Sequence, residues 1–137
     1  MALVSAPIFT VCDAASIREG LLNVLGSGIS RIGRATFPAE FTSTIAVQLL
    51  IEDSDLTEDF TVRIELVGEN GEDRGVPSYE EVFGQPIGLE APDEPFTIPL
   101  VLSGGPHIPS SGRYKLVLFV NKHEVAHYFI SAREIPA

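Results

Sequence analysis

Residues 109–130, PSSGRYKLVLFVNKHEVAHYFI, decide the fold class of this chain. Two apolar runs flank the polar segment 121–124, which predicts two strands joined by a tight turn. In the first run, apolar residues recur at every second position, as they do on the core side of a strand. These residues are Tyr114, Leu116, Leu118 and Val120. The stretch therefore predicts a β-hairpin with one face buried in a core.

The length of the turn sets which residues of this hairpin face each other. One register pairs Val120 with Val125. A three-residue turn instead pairs Phe119 with Val125 and places Tyr128 opposite Leu116. We predict the three-residue turn, because it extends the apolar stripe of the first strand through Tyr128.

Further short strands are predicted upstream, and no helix. Their ranges are 7–15, 43–51, 60–67, 81–83 and 96–102. Pro99 cannot donate to a strand ladder, so the last of them is expected at a sheet edge or at a bulge. Residues 21–32 are apolar but broken by Gly26 and Gly28. A helix over 14–25 is the alternative there, but Gly20 in its middle favours a hairpin.

Seven to eight short strands separated by turn signals predict an all-β fold. We expect a single antiparallel β-sandwich of the immunoglobulin-like, Greek-key kind. A parallel sheet would need crossover helices, for which the sequence offers no candidate. The 137 residues suit one domain, and a chain of this length buries roughly two-thirds of its unfolded surface. We therefore predict one domain over residues 1–137.

Charge and cysteine content narrow the class of partner. The net charge of −10 argues against nucleic acids and anionic membranes, which bind clusters of lysine and arginine. No apolar run approaches the roughly 18 residues of a membrane span, and no basic residue precedes Arg18, as it would in a secretory signal. The single Cys12 cannot form an internal disulfide and is interpreted as a buried small hydrophobe. These features predict an acidic, cytoplasmic protein whose partner is a protein or a second copy.

The segment that opens the hairpin, Ser110-x-Gly112-x-Tyr114-x-Leu116, resembles the tyrosine corner of immunoglobulin-like sandwiches. In those proteins the phenol bonds back to nearby backbone, so the resemblance implies a structural corner at Gly112 and Tyr114. Leu116 stands where the disulfide cysteine would be, and the chain contains no tryptophan. The antibody-type core is therefore excluded.

The opening of the chain carries a second resemblance. The segments CDAA at 12–15 and LNVLG at 22–26 are similar to the start of an uncharacterised family of short bacterial β-sandwich proteins. This resemblance extends over most of the chain. It implies a fold and brings no activity with it.

The sequence offers no convincing metal, cofactor or catalytic site. His123 and His127 lie roughly 13 Å apart on a strand and cannot converge on one metal ion. The acidic run 52–59 fails as a calcium loop, because Glu58 stands where glycine is required and Ile64 where glutamate is required. A weak calcium site shared with the acidic residues of 90–94 is the alternative to a solvated turn. No dinucleotide, phosphate-loop or nucleophile-elbow motif occurs. We therefore predict a non-enzyme without cofactor or metal.

The closing hairpin gives the strongest functional signal, because both of its faces are apolar, whereas a sandwich strand normally turns alternate residues to water. The predicted interaction face consists of Val117, Phe119, Val125, His127 and Phe129. Either the N-terminal hairpin or the long loop covers this face, or it is a surface for a homodimer or a protein partner. An interaction or assembly module that uses a sheet face or edge is the first hypothesis.

The second hypothesis is a small-ligand or carbohydrate binder. The irregular loops 73–95 and 103–109 contain Tyr79, Phe83 and His107, together with several carboxylates. Exposed aromatic side chains beside carboxylates are typical of such sites, and loops commonly carry binding residues.

Overall fold

The computed structural model describes residues 4–52, 59–83, 95–103 and 107–136. These ranges contain ten strands, more than the seven or eight predicted. The strands are β1 (Val4–Cys12), β2 (Ala14–Arg18), β3 (Leu21–Leu25), β4 (Arg31–Arg34), β5 (Thr44–Ile51), β6 (Phe60–Gly68), β7 (Tyr79–Phe83), β8 (Phe96–Ser103), β9 (Gly112–Val120) and β10 (His123–Glu134). They form a three-stranded sheet, β1-β5-β8, a five-stranded sheet, β4-β10-β9-β6-β7, and a separate hairpin, β2-β3.

The all-β sandwich is confirmed, but the antiparallel prediction is wrong at one place. β10 pairs with β4 in parallel, from Ser131 opposite Arg31 to Glu134 opposite Arg34. The remaining described pairs are antiparallel. The chain leaves the three-stranded sheet at the end of β1, forms the β2-β3 hairpin and joins the edge of the other sheet as β4. No local sequence pattern marks this change of sheet.

Alternating residues of the central strands form the core between the two sheets, as predicted. β5 contributes Ile45, Val47, Leu49 and Ile51, β6 contributes Phe60, Val62, Ile64 and Leu66, and β9 contributes Tyr114, Leu116, Leu118 and Val120. Removing this apolar surface from water is the main force that holds the sheets together. β8 lies at the edge of its sheet, as Pro99 predicted.

The first predicted strand divides at Asp13, where a bend separates β1 from β2. The backbone N–H of Asp13 donates to the carbonyl of Leu25 at 3.1 Å and closes the base of the β2-β3 hairpin. Glu19 and Gly20 form its two-residue turn with φ of 53° and 76°, and positive φ at both positions matches the twist of a hairpin. The preference for a hairpin over a helix is confirmed.

The β2-β3 hairpin covers the outer face of the three-stranded sheet, where it contacts β5 and β8. Ala46 and Cys12 lie on that outer face and are completely buried. The loop that follows β3 adds to the cover, because the hydroxyl of Ser27 lies 2.8 Å from that of Thr10. This sheet is therefore buried on both faces.

The turn between β9 and β10 differs from the prediction. Asn121 and Lys122 form a two-residue turn with φ of 48° and 71°, and Val120 pairs with His123. The three-residue turn is wrong, because residues with positive φ allow the tighter turn that suits the strand twist.

The predicted register is nevertheless correct beyond the turn, where Tyr128 lies opposite Leu116. The ladder is interrupted between Glu124 and Ala126, so Val125 is the extra residue of a β-bulge. This extra residue restores the pairing that a three-residue turn would have produced. The predicted pairing of Phe119 with Val125 is wrong for the same reason.

Tyr114 anchors the entry into β9. Its ring is fully buried, and its hydroxyl donates to the carbonyl of Ser110 at 2.7 Å. The backbone N–H of Ser110 donates to the same hydroxyl at 3.3 Å. Gly112, with φ of 148°, lies between them in a conformation that side chains disfavour.

Candidate functional site

The outer face of the five-stranded sheet carries the predicted interaction residues in part. Strand pairing places Phe119 beside Arg63, Val117 beside Glu65 and His127, and Phe129 beside Lys115, all pointing away from the core. Val117 is only 3% exposed, because Glu65 and His127, which lie beside it on the neighbouring strands, cover it. Its prediction as a contact residue is therefore wrong.

Phe119 forms one aromatic contact point of this face. The guanidinium of Arg63 lies 4.5 Å above the centre of its ring, within the range of a cation–π interaction. Arg63 Nε also lies 3.2 Å from Glu65 Oε1, although the geometry is not that of a hydrogen bond. The arginine therefore packs over one face of Phe119, whose ring is half-buried.

Phe129 is the most exposed aromatic residue of the predicted face. Its side chain is 53% exposed, and its ring meets that of His127 edge to face at 5.2 Å. Pairs with this geometry are favourable beyond the area they bury. The two rings form a raised aromatic ridge on β10.

Val125 does not belong to the face, and its prediction there is wrong. It is half-buried and packs against the core cluster. The β-bulge changes the alternation of β10 at this position, and an extra residue in one strand turns the following side chains to the opposite face. Of the five predicted residues, Phe119, His127 and Phe129 remain on the outer face.

The cover expected from the N-terminal hairpin is absent from this face. β2 and β3 contact the three-stranded sheet instead, and among the described residues no other segment lies over Phe129. The long loop that was the other predicted cover falls largely at 84–94, outside the described residues.

Basic side chains concentrate on the same face. Six of the nine lysines and arginines lie on it or at its ends, namely Arg31, Arg63, Arg113, Lys115, Lys122 and Arg133. The chain as a whole carries a net charge of −10. The same face also carries Glu65 and Glu80, so charges of both signs lie on it and the basic side chains are more numerous.

A cavity between the two sheets brings together two residues of the predicted ligand loops. It has a volume of about 690 Å³, and Tyr79 and His107 both line it. Its remaining described lining is mostly apolar and includes Ile45, Ile64, Leu66, Val76, Leu102 and Leu116. A volume of this size is within the range of small-molecule sites.

The third predicted ligand residue, Phe83, does not join this cavity. Its ring stacks on that of Phe60 with the centroids 5.5 Å apart, which makes it a part of the core edge. Tyr79 donates a hydrogen bond to the carboxylate of Glu81. That hydrogen bond, with burial and the negative charge of Glu81, raises the pKa of Tyr79 to about 12.

The candidates for metal and nucleophilic chemistry gain no support. Cys12 is completely buried, and burial together with the charge of Asp13 raises the pKa of its thiol, so it is the predicted small hydrophobe. Within the described ranges, no group of three or more His, Cys, Asp or Glu side chains could hold a metal ion. Residues 53–58 and 90–94 of the predicted acidic loops lie outside those ranges.

Comparison with known proteins places the chain in a family. The model of the Family of unknown function (DUF6941) matches residues 7–133. The chain belongs to this family. Membership in an uncharacterised β-sandwich family, expected from segments 12–15 and 22–26, is confirmed for DUF6941. No curated protein matches the chain.

One solved structure similar to this DUF6941 member is an immunoglobulin-like protein from Pseudomonas aeruginosa. The two are 14% identical, and the match covers 96% of this chain and 97% of that chain with a TM-score of 0.45. The sandwich fold of this chain is shown by its own strand pairing. Among its described residues, no helix has the length and apolarity needed to cross a membrane.

Proposed function

We propose that this protein is a non-catalytic assembly module, which associates with a second copy through the outer face of its five-stranded sheet. The observation that carries the proposal is the half-exposed Phe129, which forms an aromatic ridge with His127 on a face left open by the described residues. Exposed apolar side chains that share one face are typical of an interaction surface, and Phe119 lies on the same face as this ridge.

The sheet edges are poorer candidates than the face. β7 is only five residues long and carries Glu80 and Glu81, and β4 is only four residues long. On the three-stranded sheet, the edge strands carry Pro7 and Pro99. Short strands, charges and prolines are the features that prevent pairing between edges. The proposal therefore assigns the contact to the face.

The size of the face suits a dimer. Five strands spaced about 4.8 Å apart span about 24 Å. The central strands β6 and β9 each have nine residues, or about 30 Å at roughly 3.3 Å per residue. Because β4 and β7 are only four and five residues long, the footprint is roughly 600 Å², at the lower end of the roughly 600–1,000 Å² that each partner contributes to a typical stable interface.

Charge favours a second copy as the occupant. The face carries Glu65 and Glu80 as well as Arg63 and Lys115. When two copies meet through this same face, the carboxylates of one can lie against the basic side chains of the other, so the face is complementary to itself. The attraction should weaken as salt screens the charges.

Light scattering coupled to size exclusion tests the proposal. The wild-type chain of 14.8 kDa should show the mass of a dimer at micromolar concentration, and Phe129→Ser should show the mass of a monomer. Leu21→Ser is the matched control, because Leu21 is 67% exposed on the β2-β3 hairpin, away from this face. That variant should remain dimeric.

Two results would contradict the proposal. One is a wild-type chain that stays monomeric up to about 100 µM. The other is a dimer that Leu21→Ser dissociates and Phe129→Ser leaves intact.

We also place the protein in the cytoplasm, which the free, buried Cys12 supports, since disulfides are rare there.

The cavity of about 690 Å³ supports a second candidate function, the binding of a small apolar molecule. Its apolar walls would hold the body of the molecule, and His107 and Tyr79 would meet a polar group. Carbohydrate is a poorer candidate, because none of the described lining residues is acidic.

Fluorescence of 8-anilinonaphthalene-1-sulfonate tests this second candidate. The dye should bind the native chain saturably, with one site per chain. Leu102→Trp, which fills the cavity, should abolish binding, and Leu25→Trp on the exposed hairpin should preserve it. Absence of a saturable signal, or equal binding by both variants, would contradict it.

A further inference from the structure

A hollow of about 300 Å³ lies at the end of the five-stranded sheet where β4, β10 and β9 run side by side. Each of these strands contributes one arginine to its lining: Arg31 from β4, Arg133 from β10 and Arg113 from β9. Ser131 and Phe129 of β10 complete this side of the lining. Guanidinium groups are the main polar groups of this hollow, which distinguishes it from the aromatic ridge of Phe129 and His127.

Strand register explains why the three arginines meet. Ser131 lies directly opposite Arg31 on one side and Arg113 on the other. With strands about 4.8 Å apart, the Cα atoms of these two arginines are about 10 Å from each other. Arg133 is two residues beyond Ser131 on the same face, at a distance of roughly 7 Å. Ser131 therefore lies next to three arginine positions on the same face of the sheet.

The charge of this cluster is only partly balanced. Glu69 is the one acidic residue among its described lining residues, and its Oε1 atom lies 3.6 Å from Arg113 Nη1. The side chain of Arg113 remains 72% exposed. No other carboxylate among the described residues lies within ion-pair distance of any of the three arginines. In a chain with a net charge of −10, three arginines in one hollow form a local excess of positive charge.

We infer that this hollow binds a small molecule through a phosphate or carboxylate group. The planar guanidinium presents paired donors that match the oxygens of both groups, and three arginines line the hollow together with Ser131. Phe129 forms an apolar wall beside the charged centre. A ligand with an aromatic or aliphatic body attached to the anionic group fits both parts. The inference goes beyond self-association and does not depend on it, but Phe129 takes part in both, so the apolar body of the ligand and a second copy compete for this ring.

NMR titration of the ¹⁵N-labelled chain at low ionic strength tests the inference. The probes are inorganic phosphate, phenyl phosphate and benzoate. Comparing phenyl phosphate with benzoate distinguishes a phosphate group from a carboxylate. Comparing phenyl phosphate with inorganic phosphate measures what the apolar body contributes. Saturable shifts should appear at the amides of Arg31, Arg113, Ser131 and Arg133. Arg133→Gln removes one charge-assisted interaction and should weaken binding about tenfold. Arg18→Gln, an exposed arginine on the β2-β3 hairpin, is the matched control and should bind as the wild type does.

Phe129→Ser separates this site from the proposed dimer. The variant keeps all three arginines, so it should still bind phosphate as a monomer but lose the advantage of phenyl phosphate over phosphate. Equal affinities for Arg133→Gln and Arg18→Gln would overturn the inference. Shifts that fail to saturate with every probe, or that spread over all exposed basic residues, would overturn it as well. A chain that is monomeric yet binds phosphate at the arginines would contradict the proposed self-association and leave the binding of an anionic group at this hollow intact.

Discussion

The three tyrosines allow a comparison of how much each hydroxyl group stabilises the sandwich. Replacing each by phenylalanine keeps the ring and removes only the hydroxyl, so the change in the free energy of unfolding reports the hydrogen bonds of that hydroxyl. Tyr114 donates to the Ser110 carbonyl at 2.7 Å and accepts from the Ser110 N–H at 3.3 Å. Among the described residues, Tyr128 makes one bond, to the Ile29 carbonyl at 2.8 Å, and Tyr79 bonds only to the exposed Glu81.

The expected costs follow the number and burial of these bonds. One intramolecular hydrogen bond contributes about 1 kcal/mol net. Tyr114→Phe should therefore lower the free energy of unfolding by about 1–2 kcal/mol and Tyr128→Phe by about 1 kcal/mol. Tyr79→Phe should change it by less than about 0.5 kcal/mol, because water replaces an exposed partner. For a domain of this size, the largest change corresponds to a fall in Tm of roughly 4–8 °C.

Urea unfolding followed by circular dichroism measures all three variants under one set of conditions. The slope of the transition should stay constant, since the surface exposed on unfolding is unchanged. A Tyr114→Phe variant as stable as the wild type would refute the anchoring role of Tyr114. A Tyr79→Phe variant that loses as much stability as Tyr114→Phe would refute it equally.

Three further predictions concern the turn, the covered sheet and one ionisation. Lys122→Gly should raise the free energy of unfolding by about 0.5–1 kcal/mol in urea titrations, because Lys122 holds φ of 71° where glycine is unstrained; a loss of stability would contradict the turn geometry. Ala46→Leu should lower it by about 1–3 kcal/mol, because the β2-β3 hairpin leaves no room over a fully buried alanine; a neutral effect would show that the hairpin does not cover that face. Absorbance at 295 nm should show Tyr79 losing its proton only near pH 12, since Glu81 favours the neutral phenol. Glu81→Gln should return the pKa of Tyr79 toward about 10, and an unchanged titration would exclude Glu81 as the cause.

The fold class could be predicted because the central strands have a simple alternation. In β6 every second residue from Phe60 to Gly68 is buried, and the pattern was visible in the sequence. The same holds for the stripe that begins at Tyr114. One face of these strands packs against the other sheet and the opposite face lies outside the core, so burial alternates along their whole length.

The candidate face was predicted less well, because its composition depends on non-local pairing. Val117 is apolar and faces outward, but flanking Glu65 and His127 cover it, and that cover depends on register. Val125 was assigned to the face because the bulge in β10 has no local signature. Phe129, which was predicted on this face, lies on it and is 53% exposed, and its role in an interaction stays a prediction.

The arginine hollow could not have been predicted. Arg31 and Arg113 are more than 80 positions apart in the sequence and meet only because β4 adds in parallel to β10. Parallel pairing of distant strands leaves no pattern in either segment alone. The only signal was compositional, since most of the few basic residues fall in strands that later prove to be neighbours.

The most direct test of the central claim is to locate the contact between two copies. A sample that mixes ¹³C-labelled and unlabelled chains yields isotope-filtered nuclear Overhauser effects only from protons in different copies. We expect these effects between copies at the rings of Phe129 and Phe119. Their absence at millimolar concentration, or effects confined to Leu21 and Leu25 of the β2-β3 hairpin, would contradict assembly through the five-stranded sheet.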